Sequence, residues 1–470
     1  MRRPPLHQLP DLPKIEYWEL IYDLGSDLSE YSTRLNDHTN RLEVALAEIA
    51  TLKEKLEQPK KTSENASLPP STQIKPKHDE YATGNKRGGK TGHVGKSRIL
   101  RQADTIIECE PELCSCCGAD LADVPRHRIG CTRIWEIPKP EPVLIELQKF
   151  ERHCECGHTQ TDQYPDGYDP HQDFGPGIHA LISYFNGTHH VAHDRLIQMM
   201  CDVFGMKISA GAIVNSLQRT AGRLEEATQT ILERIRASEV VGSDETGLRM
   251  NGKNGWMWVV QTGHYSYFTA VDTRAARVLE ELLADAVIPV WCCDLYAGQL
   301  KANALRFAIC NAHQLRNLQY AIDAGDQCFS PMMQQLLRTG LHLTRQRDEM
   351  DKQDYCMAVD KIKACARWLI DIPTDHKDAK RLQKRFRKHF DSIWLFLDRD
   401  DVPFDNNASE RALRPAVIHR KVIGGFRTSA GAEAYARYRT IEDTARKQKQ
   451  PVLQALYNTL GHPLQISPTS

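Results

Sequence analysis

Between residues 26 and 57 an apolar side chain returns at every seventh position: Leu28, Leu35, Leu42, Ile49 and Leu56, with Leu46 and Leu52 beside them. That seam predicts a helix. Ser32 and Thr39 hold companion heptad positions, so the seam suits a short, weak coiled coil and assigns 1–57 to dimerisation; a helix packed on its own chain is the alternative. From 58 to 101 large apolar residues give way to Pro, Gly, Ser and Lys, a composition that buries no core and predicts a linker arm. Over 102–160 the stretch VPRHRIGCTRIWEIPKPEPVLIELQKFERH alternates apolar and polar residues, as the strands of a small ribbon do. Residues 161–237 turn helical, with Ser209 as a cap and an apolar stripe at Ile213, Leu217, Ala221, Leu224 and Ala227. The helices suit either DNA contact or packing.

From 238 the period changes again. SEVVGSDETGLRM, WMWVVQTG and YSYFTAVD read as three strands, followed by a helix (RAARVLEELLAD), a strand (IPVWCCD) ending at Asp294, a further helix, and a fifth strand (RFAIC) ending at Cys310. Three antiparallel-type strands followed by strand–helix alternation predict an α/β fold, a mixed sheet with helices on its faces.

Composition narrows the functional classes. The chain has 470 residues, and its 61 Lys+Arg balance 61 Asp+Glu. No run approaches the ~20 apolar residues of a membrane helix, and the N-terminus lacks the apolar core of a secretion signal, so a cytosolic protein is expected. Neutrality hides segregation. The net charge is −4 over 1–58, +7 over 59–101, −8 over 102–237, −2 over 238–313, +2 over 314–401 and +5 over 402–470. Within the +7 arm, Lys86, Arg87, Lys90, Lys96 and Arg98 alternate with glycines that permit close backbone approach, which suits a phosphate surface; a solvated tail is the plainer reading. GGKTG in that arm lacks the spacing and the preceding strand of a nucleotide-binding loop.

Seven of the 14 cysteines fall within 109–156: Cys109, Cys114, Cys116, Cys117, Cys131, Cys154 and Cys156. Clustering without a secretion signal favours metal over disulfides. Cys114 and Cys117 form a C-x₂-C turn followed by Gly118, and Cys154 and Cys156 precede Gly157. The two pairs can close a tetrahedral structural Zn²⁺ site in a small β module over 102–160. Because the second pair is C-x-C, Cys116, Cys131, His153 or His158 could supply the fourth ligand instead, and free buried thiols are the alternative to zinc.

Asp244 on the first strand and Asp294 after the fourth can lie side by side near strand ends, where open α/β sheets gather ligands. Close carboxylates stay ionised together most readily around a divalent cation. A third candidate, Glu410, lies in VPFDNNASERALRP. There Asp405-Asn-Asn407 looks like a helix cap, which puts Glu410 and Arg411 in the opening turns and Arg411 and Arg414 near a phosphate.

With these residues in place the chain resembles the insertion-sequence 66 transposases, bacterial enzymes of the Asp-Asp-Glu type on a ribonuclease-H-like fold. The matching blocks run in order over nearly the whole length. They are the leucine-seamed helix, Asn65-Ala-Ser-Leu-Pro-Pro-Ser71, KRGGKTGHVGKSR, the cysteine pairs, Asp244-Glu-Thr246, Asp294-Leu-Tyr-Ala-Gly298, Cys310-Asn-Ala-His313 and DNNASERALRP. Ala66 stands where the family usually has Ser, Leu295 where it often has Gly, and VIGGFRTSAGAEAYARYRT diverges from its common wording.

The resemblance implies a ribonuclease-H-like core in two parts, 238–313 and 402–470, interrupted by a helical insertion over 314–401. It implies that Asp244, Asp294 and Glu410 bind two Mg²⁺ (or Mn²⁺) ions and cleave the ends of a bacterial insertion sequence, joining the 3′-hydroxyl ends to target DNA. Arg411, Arg414, Arg420 and Lys421 become candidate phosphate contacts, and His313 and Arg316 near neighbours of the site. The expected partners are element-end and target DNA, a second copy or more of the chain, and accessory proteins of the same element, with a cytoplasmic, nucleoid-associated location and no membrane. Two other readings share the scaffold: a non-catalytic zinc-containing DNA-binding protein, and a structure-specific nuclease.

Overall fold

A computed structural model describes residues 30–51 except 31, 32, 35 and 50, then 58, 59, 61, 62, 65 and 66, then 102–169 and 171–461. The described residues separate into two compact units. One comprises 310–404 with the described part of 1–73; the other comprises 74–309 and 405–470.

The second of these units holds the sheet. A small hairpin comes first, β1 (Glu151–His153) against β2 (Thr159–Thr161). Then come the helices α1 (Pro176–Ser183), α2 (His193–Phe204), α3 (Ala210–Arg223) and α4 (Glu225–Arg236). The strands follow as β3 (Val240–Met250), β4 (Lys253–Gln261) and β5 (Ser266–Val271); after α5 (Arg277–Leu283) come β6 (Ile288–Cys293) and β7 (Ala304–Ile309). Their order across the sheet is β5-β4-β3-β6-β7, antiparallel through β5, β4 and β3 and parallel through β3, β6 and β7.

Asn251 and Gly252, both at positive φ (54° and 71°), make the two-residue turn between β3 and β4, a pairing that the right-handed strand twist favours. One sheet face, carrying Leu248, Met250, Met257, Val259, Phe268 and Ala270, is buried under two later helices. Those helices meet it with alanines, Ala412 and Ala416 and then Ala432 and Ala436, whose small side chains permit close approach. The edge strand β5 is closed by the helix above it. The Ser266 and Phe268 N–H groups donate to Thr444 Oγ1 (3.1 Å) and Thr440 Oγ1 (3.0 Å), covering donors that would otherwise invite another strand.

The other unit is built from α6 (Asn311–Asp323), α7 (Phe329–Arg345), α8 (Lys352–Asp371), α9 (Lys377–Lys388) and α10 (Phe390–Asp398). Phe329, Leu337, Leu382, Phe386, Ile393 and Trp394 are wholly buried. The chain then returns to the sheet unit with α11 (Asn407–Ile423), α12 (Ser429–Lys447) and α13 (Val452–Thr459).

Three expectations change. The stretch 121–150 forms no strand: most of its apolar positions lie in solvent, Ile129 and Leu144 almost completely, because alternation supplies a two-sided segment but no partner to pair with. Between β6 and β7 the expected helix is only a 3₁₀ turn, Gln299–Lys301. The stripe from Ile213 to Ala227 is split between α3 and α4 at Leu224. Ser209 does cap α3, its hydroxyl accepting the Ala212 N–H at 3.1 Å. Among the described residues of 30–51 all are helical, and Leu42, Leu46 and Ile49 of the heptad stripe are exposed instead of packed on the chain.

Candidate active site

The register of the parallel ladder sets the site. Val240 lies opposite Val290, Val241 opposite Trp291 and Gly242 opposite Cys292. Asp244 and Asp294, the first residue beyond β6, each follow two residues after the last pair of that ladder. The two carboxylates thus flank the place where the parallel ladder ends while β3 continues along β4, and the charge of Asp294 is felt at Asp244. Each is held by a nearby N–H: Glu245 N donates to Asp244 Oδ1 (2.9 Å) and Tyr296 N to Asp294 Oδ1 (2.8 Å).

Glu410 sits in the first turn of α11, half-buried. Burial lifts the Asp244 carboxyl to about 8, and the negative charges of Glu245, Asp294 and Glu410 add to the rise against the opposing Glu245 N–H. Asp294 and Glu410 thus both act on the surroundings of Asp244, which holds a proton near neutral pH unless a cation replaces it. Among the described residues no three His, Cys, Asp or Glu side chains converge as a ready metal cage. By donor chemistry the acids still fit a hard divalent cation: oxygen ligands whose mutual repulsion a cation would relieve.

A buried polar network fixes α11 over this point. The Asp405-Asn-Asn407 turn caps in an unexpected way. Asp405 accepts the Asn407 N–H (3.0 Å), whereas the Asn406 side chain makes no cap bond and reaches into the sheet. Asn406 Nδ2 donates to the Ser243 carbonyl (2.7 Å), Ser409 Oγ donates to Asn406 Oδ1 (2.7 Å), and Gln261 Nε2 donates to Ser409 Oγ (3.2 Å). Lys447 Nζ closes the chain on Gln261 Oε1 (2.6 Å), its ammonium brought down to about 8 chiefly by burial.

This network crosses β3 at Gly242. A Cβ there would stand 2.6 Å from Gln261 Nε2 and 2.9 Å from both Asn406 Oδ1 and Ser409 Oγ. At its far end α11 is tied again: Phe426 N donates to the Arg249 carbonyl (2.8 Å) and Asn251 N to the Phe426 carbonyl (3.0 Å). Gly425 permits that approach, with φ 129° and space for a Cβ only 2.9 Å from Arg249 Cβ.

A second network backs the aspartates. The Glu245 side chain is buried, paired with Arg274 (2.6 Å) and accepting from Gln299 Nε2 (2.6 Å); Trp291 Nε1 donates to Gln299 Oε1 (3.2 Å). The Arg274 guanidinium lies over the Tyr296 ring at 3.8 Å, and Tyr296 Oη donates to the Arg274 carbonyl (3.0 Å). Tyr296 therefore links Asp294 to the support of Glu245. Burial raises the Glu245 carboxyl, while its bonds from Gln299 and Arg274 oppose the rise.

The remaining expected residues fall in several places. Arg411, Arg414 and Lys421 are exposed on α11, and Arg420 is half-buried with Nη1 3.4 Å from Thr246 Oγ1. His313 and Arg316 are half-buried on α6 in the helical unit. Lys86, Arg87, Lys90, Lys96 and Arg98 lie outside the described residues. The cysteine pairs form two matching turns. Gly118 N donates to the Cys114 carbonyl (2.8 Å) and Gly157 N to that of Cys154 (2.9 Å), with both glycines at positive φ. Backbone N–H groups of Cys116 and Cys117 lower the Cys114 thiol, and that of Cys156 lowers Cys154. All four cysteines are free thiols, and Cys117, Cys154 and Cys156 are exposed.

The family model for the transposase IS66 family matches residues 171–434, from α1 through both carboxylate strands and the opening of α12. The chain belongs to that family. Comparison with curated proteins gives no match. Membership makes this a transposase-type protein whose partner is DNA, and no helix among the described residues is long and apolar enough to cross a membrane. The matched span contains Asp244, Asp294 and Glu410, and with them several transposase residues that pattern-reading passed over: Gly242, Glu245, Gln261, Arg274, Tyr296, Gln299, Asn406 and Ser409. Some lie inside blocks already noticed, such as Glu245 in Asp244-Glu-Thr246 and Tyr296 in Asp294-Leu-Tyr-Ala-Gly298. Gln261 carries no local signal, since its partner Ser409 is 148 residues away.

Proposed function

We propose that this transposase cuts the phosphodiester bonds at the ends of its insertion sequence and joins the freed 3′-hydroxyls to target DNA, with Asp244, Asp294 and Glu410 holding two Mg²⁺ or Mn²⁺ ions. The observation that supports this reading is the position of Asp244 and Asp294 just past the end of the β3–β6 ladder, together with the charges of Asp294 and Glu410 acting on Asp244. The strand order β5-β4-β3-β6-β7 supports a ribonuclease-H-like core. When bound, the cations supply charge stabilisation at the scissile phosphate and an acidified water. The chain's part is positioning. Asn406 and Ser409 fix the first turn of α11 to Ser243 one residue before Asp244, Tyr296 orients the loop of Asp294, and Arg411, Arg414 and Lys421 offer exposed cations to the phosphates. A strand-transfer assay on element-end DNA separates this from the alternatives: a nuclease cuts without joining, and an inactive DNA-binding protein does neither.

The cysteine turns are proposed to hold one structural Zn²⁺ through Cys114, Cys117, Cys154 and Cys156. Two turns that each lower a thiol pKa support it, because thiolates are the zinc-binding form. The exposed stripe of Leu42, Leu46 and Ile49 supports pairing with a second copy, and the basic arm at 86–98 supports a further grip on DNA. Metal analysis and the assembly state after deletion of 1–57 test the first two.

A further inference from the structure

The near-neutral charge of the helical unit conceals its most basic element. In α9 seven of the 12 residues of KDAKRLQKRFRK are cations and one, Asp378, is an anion. Ala379, Leu382 and Phe386 anchor the helix from below: all three are buried, and the Phe386 ring meets Phe329 edge-on at 6.0 Å. Lys377, Lys380, Arg381, Lys384, Arg387 and Lys388 are exposed. They fall at steps of three and four residues along one side, a ridge about 16 Å long at 1.5 Å per residue.

We infer that this ridge is a docking surface for the phosphate backbone of duplex DNA, distinct from the contacts assigned to α11 and to the arm. Helix stability does not account for the charge. Cations in the last turn, such as Arg387 and Lys388, are favoured by the helix dipole, but Lys377, Lys380 and Arg381 occupy the half where that dipole opposes them. Neutralisation by neighbours does not account for it either. Asp371, Asp375 and Asp378 pair with Arg387 (2.7 Å), Lys380 (3.3 Å) and Arg381 (2.8 Å) at the surface, where such pairs contribute little and exchange readily for phosphates. Even with those three and Asp391 counted, residues 371–391 carry seven cations against four anions. A duplex presents one negative charge per about 1.7 Å of axis, and a rigid cationic ridge complements that spacing without reading sequence. The inference takes its partner from the reading of the chain as a DNA transposase and does not depend on the carboxylate assignment.

The test is fluorescence anisotropy of the full chain with a duplex lacking element ends, in magnesium-free buffer across a salt series. Lys377→Ala/Lys380→Ala/Lys384→Ala is expected to weaken binding at least about tenfold near 0.1 M salt and to lower the log–log salt slope by about two to three, at roughly 0.9 per phosphate contact. The Lys→Arg triple is expected to keep both values. Asp375→Asn/Asp378→Asn is expected to tighten binding, which tests the ridge even if the alanine triple folds poorly. The duplex carries no element end and the buffer no divalent cation, so failure of the catalytic reading leaves the result standing. Unchanged affinity and slope in the alanine triple with native circular dichroism would overturn the inference. So would loss of binding to phosphatidylglycerol vesicles without loss of DNA binding.

Discussion

The carboxylate site and the cysteine segment carry comparable chemical promise and are held in opposite ways. Asp244, Asp294 and Glu410 come from the middle of one strand, the end of another and a helix more than 100 residues away, yet their elements are fixed at both ends of α11 and through two buried networks. The cysteines lie within 43 residues, and each pair is shaped by its own turn, but from 121 to 150 between the turns the chain has no strand and most of its apolar side chains face solvent. Packing can position a distant set of side chains. Local turns prepare ligands but do not bring the two halves together, and a metal cross-link is the kind of bond that would.

That contrast can be broken from either side, and the cysteine side should break hardest. Cys114→Ser/Cys154→Ser is expected to reduce zinc from about one per chain to none and to make 102–160 sensitive to limited proteolysis, while the main thermal transition stays put. Full protection of that segment without zinc would remove the distinction.

Gly242→Ala is next, pushing a methyl group into Gln261, Asn406 and Ser409. Overpacking of this kind costs about 1–3 kcal/mol, measurable by chemical denaturation. Asn406→Ala leaves the Ser243 carbonyl and the Ser409 hydroxyl without this partner, also about 1–3 kcal/mol. It should lower turnover more than it lowers DNA affinity, since Asn406 positions Glu410 and touches no phosphate in this reading.

The last effect is on pH. The folded Asp244 carboxyl titrates at about 8 and the unfolded one near 3.8, so between those values the folded chain keeps a proton that the unfolded chain releases. Stability from this group is present below pH 4 and declines as pH rises towards 8. Asp244→Asn removes the decline, so without divalent cation its melting temperature should equal the parent's near pH 4 and exceed it at pH 8. Saturating Mg²⁺ should raise the parent at pH 8 and leave the variant unmoved.

The strands and their acids were legible because they are local. An eleven-residue run ending in Asn-Gly, and an apolar strand that stops at an aspartate, show their character within a short window. The helix of Glu410 was legible from its cap residues, although Asn406 turned out to serve the sheet and leave the capping to Asp405. The supporting residues were not legible, because their meaning lies in contacts across 148 to 186 residues and polar side chains such as Gln261 and Lys447 look like surface until a fold buries them. Alternation misled in the cysteine segment for a related reason: a period of two marks a segment able to pair, and pairing depends on a partner the period does not name.

The most direct test is end cleavage and strand transfer on element-end DNA in Mg²⁺ or Mn²⁺, comparing the parent with Asp244→Asn, Asp294→Asn and Glu410→Gln. The parent should cut and join. Each variant should fall by roughly 10³-fold or more, the scale of losing metal-borne charge stabilisation, while keeping the parent's circular dichroism and a cooperative thermal transition. Near-parental joining by any one of the three would contradict the assignment of these carboxylates as the catalytic centre.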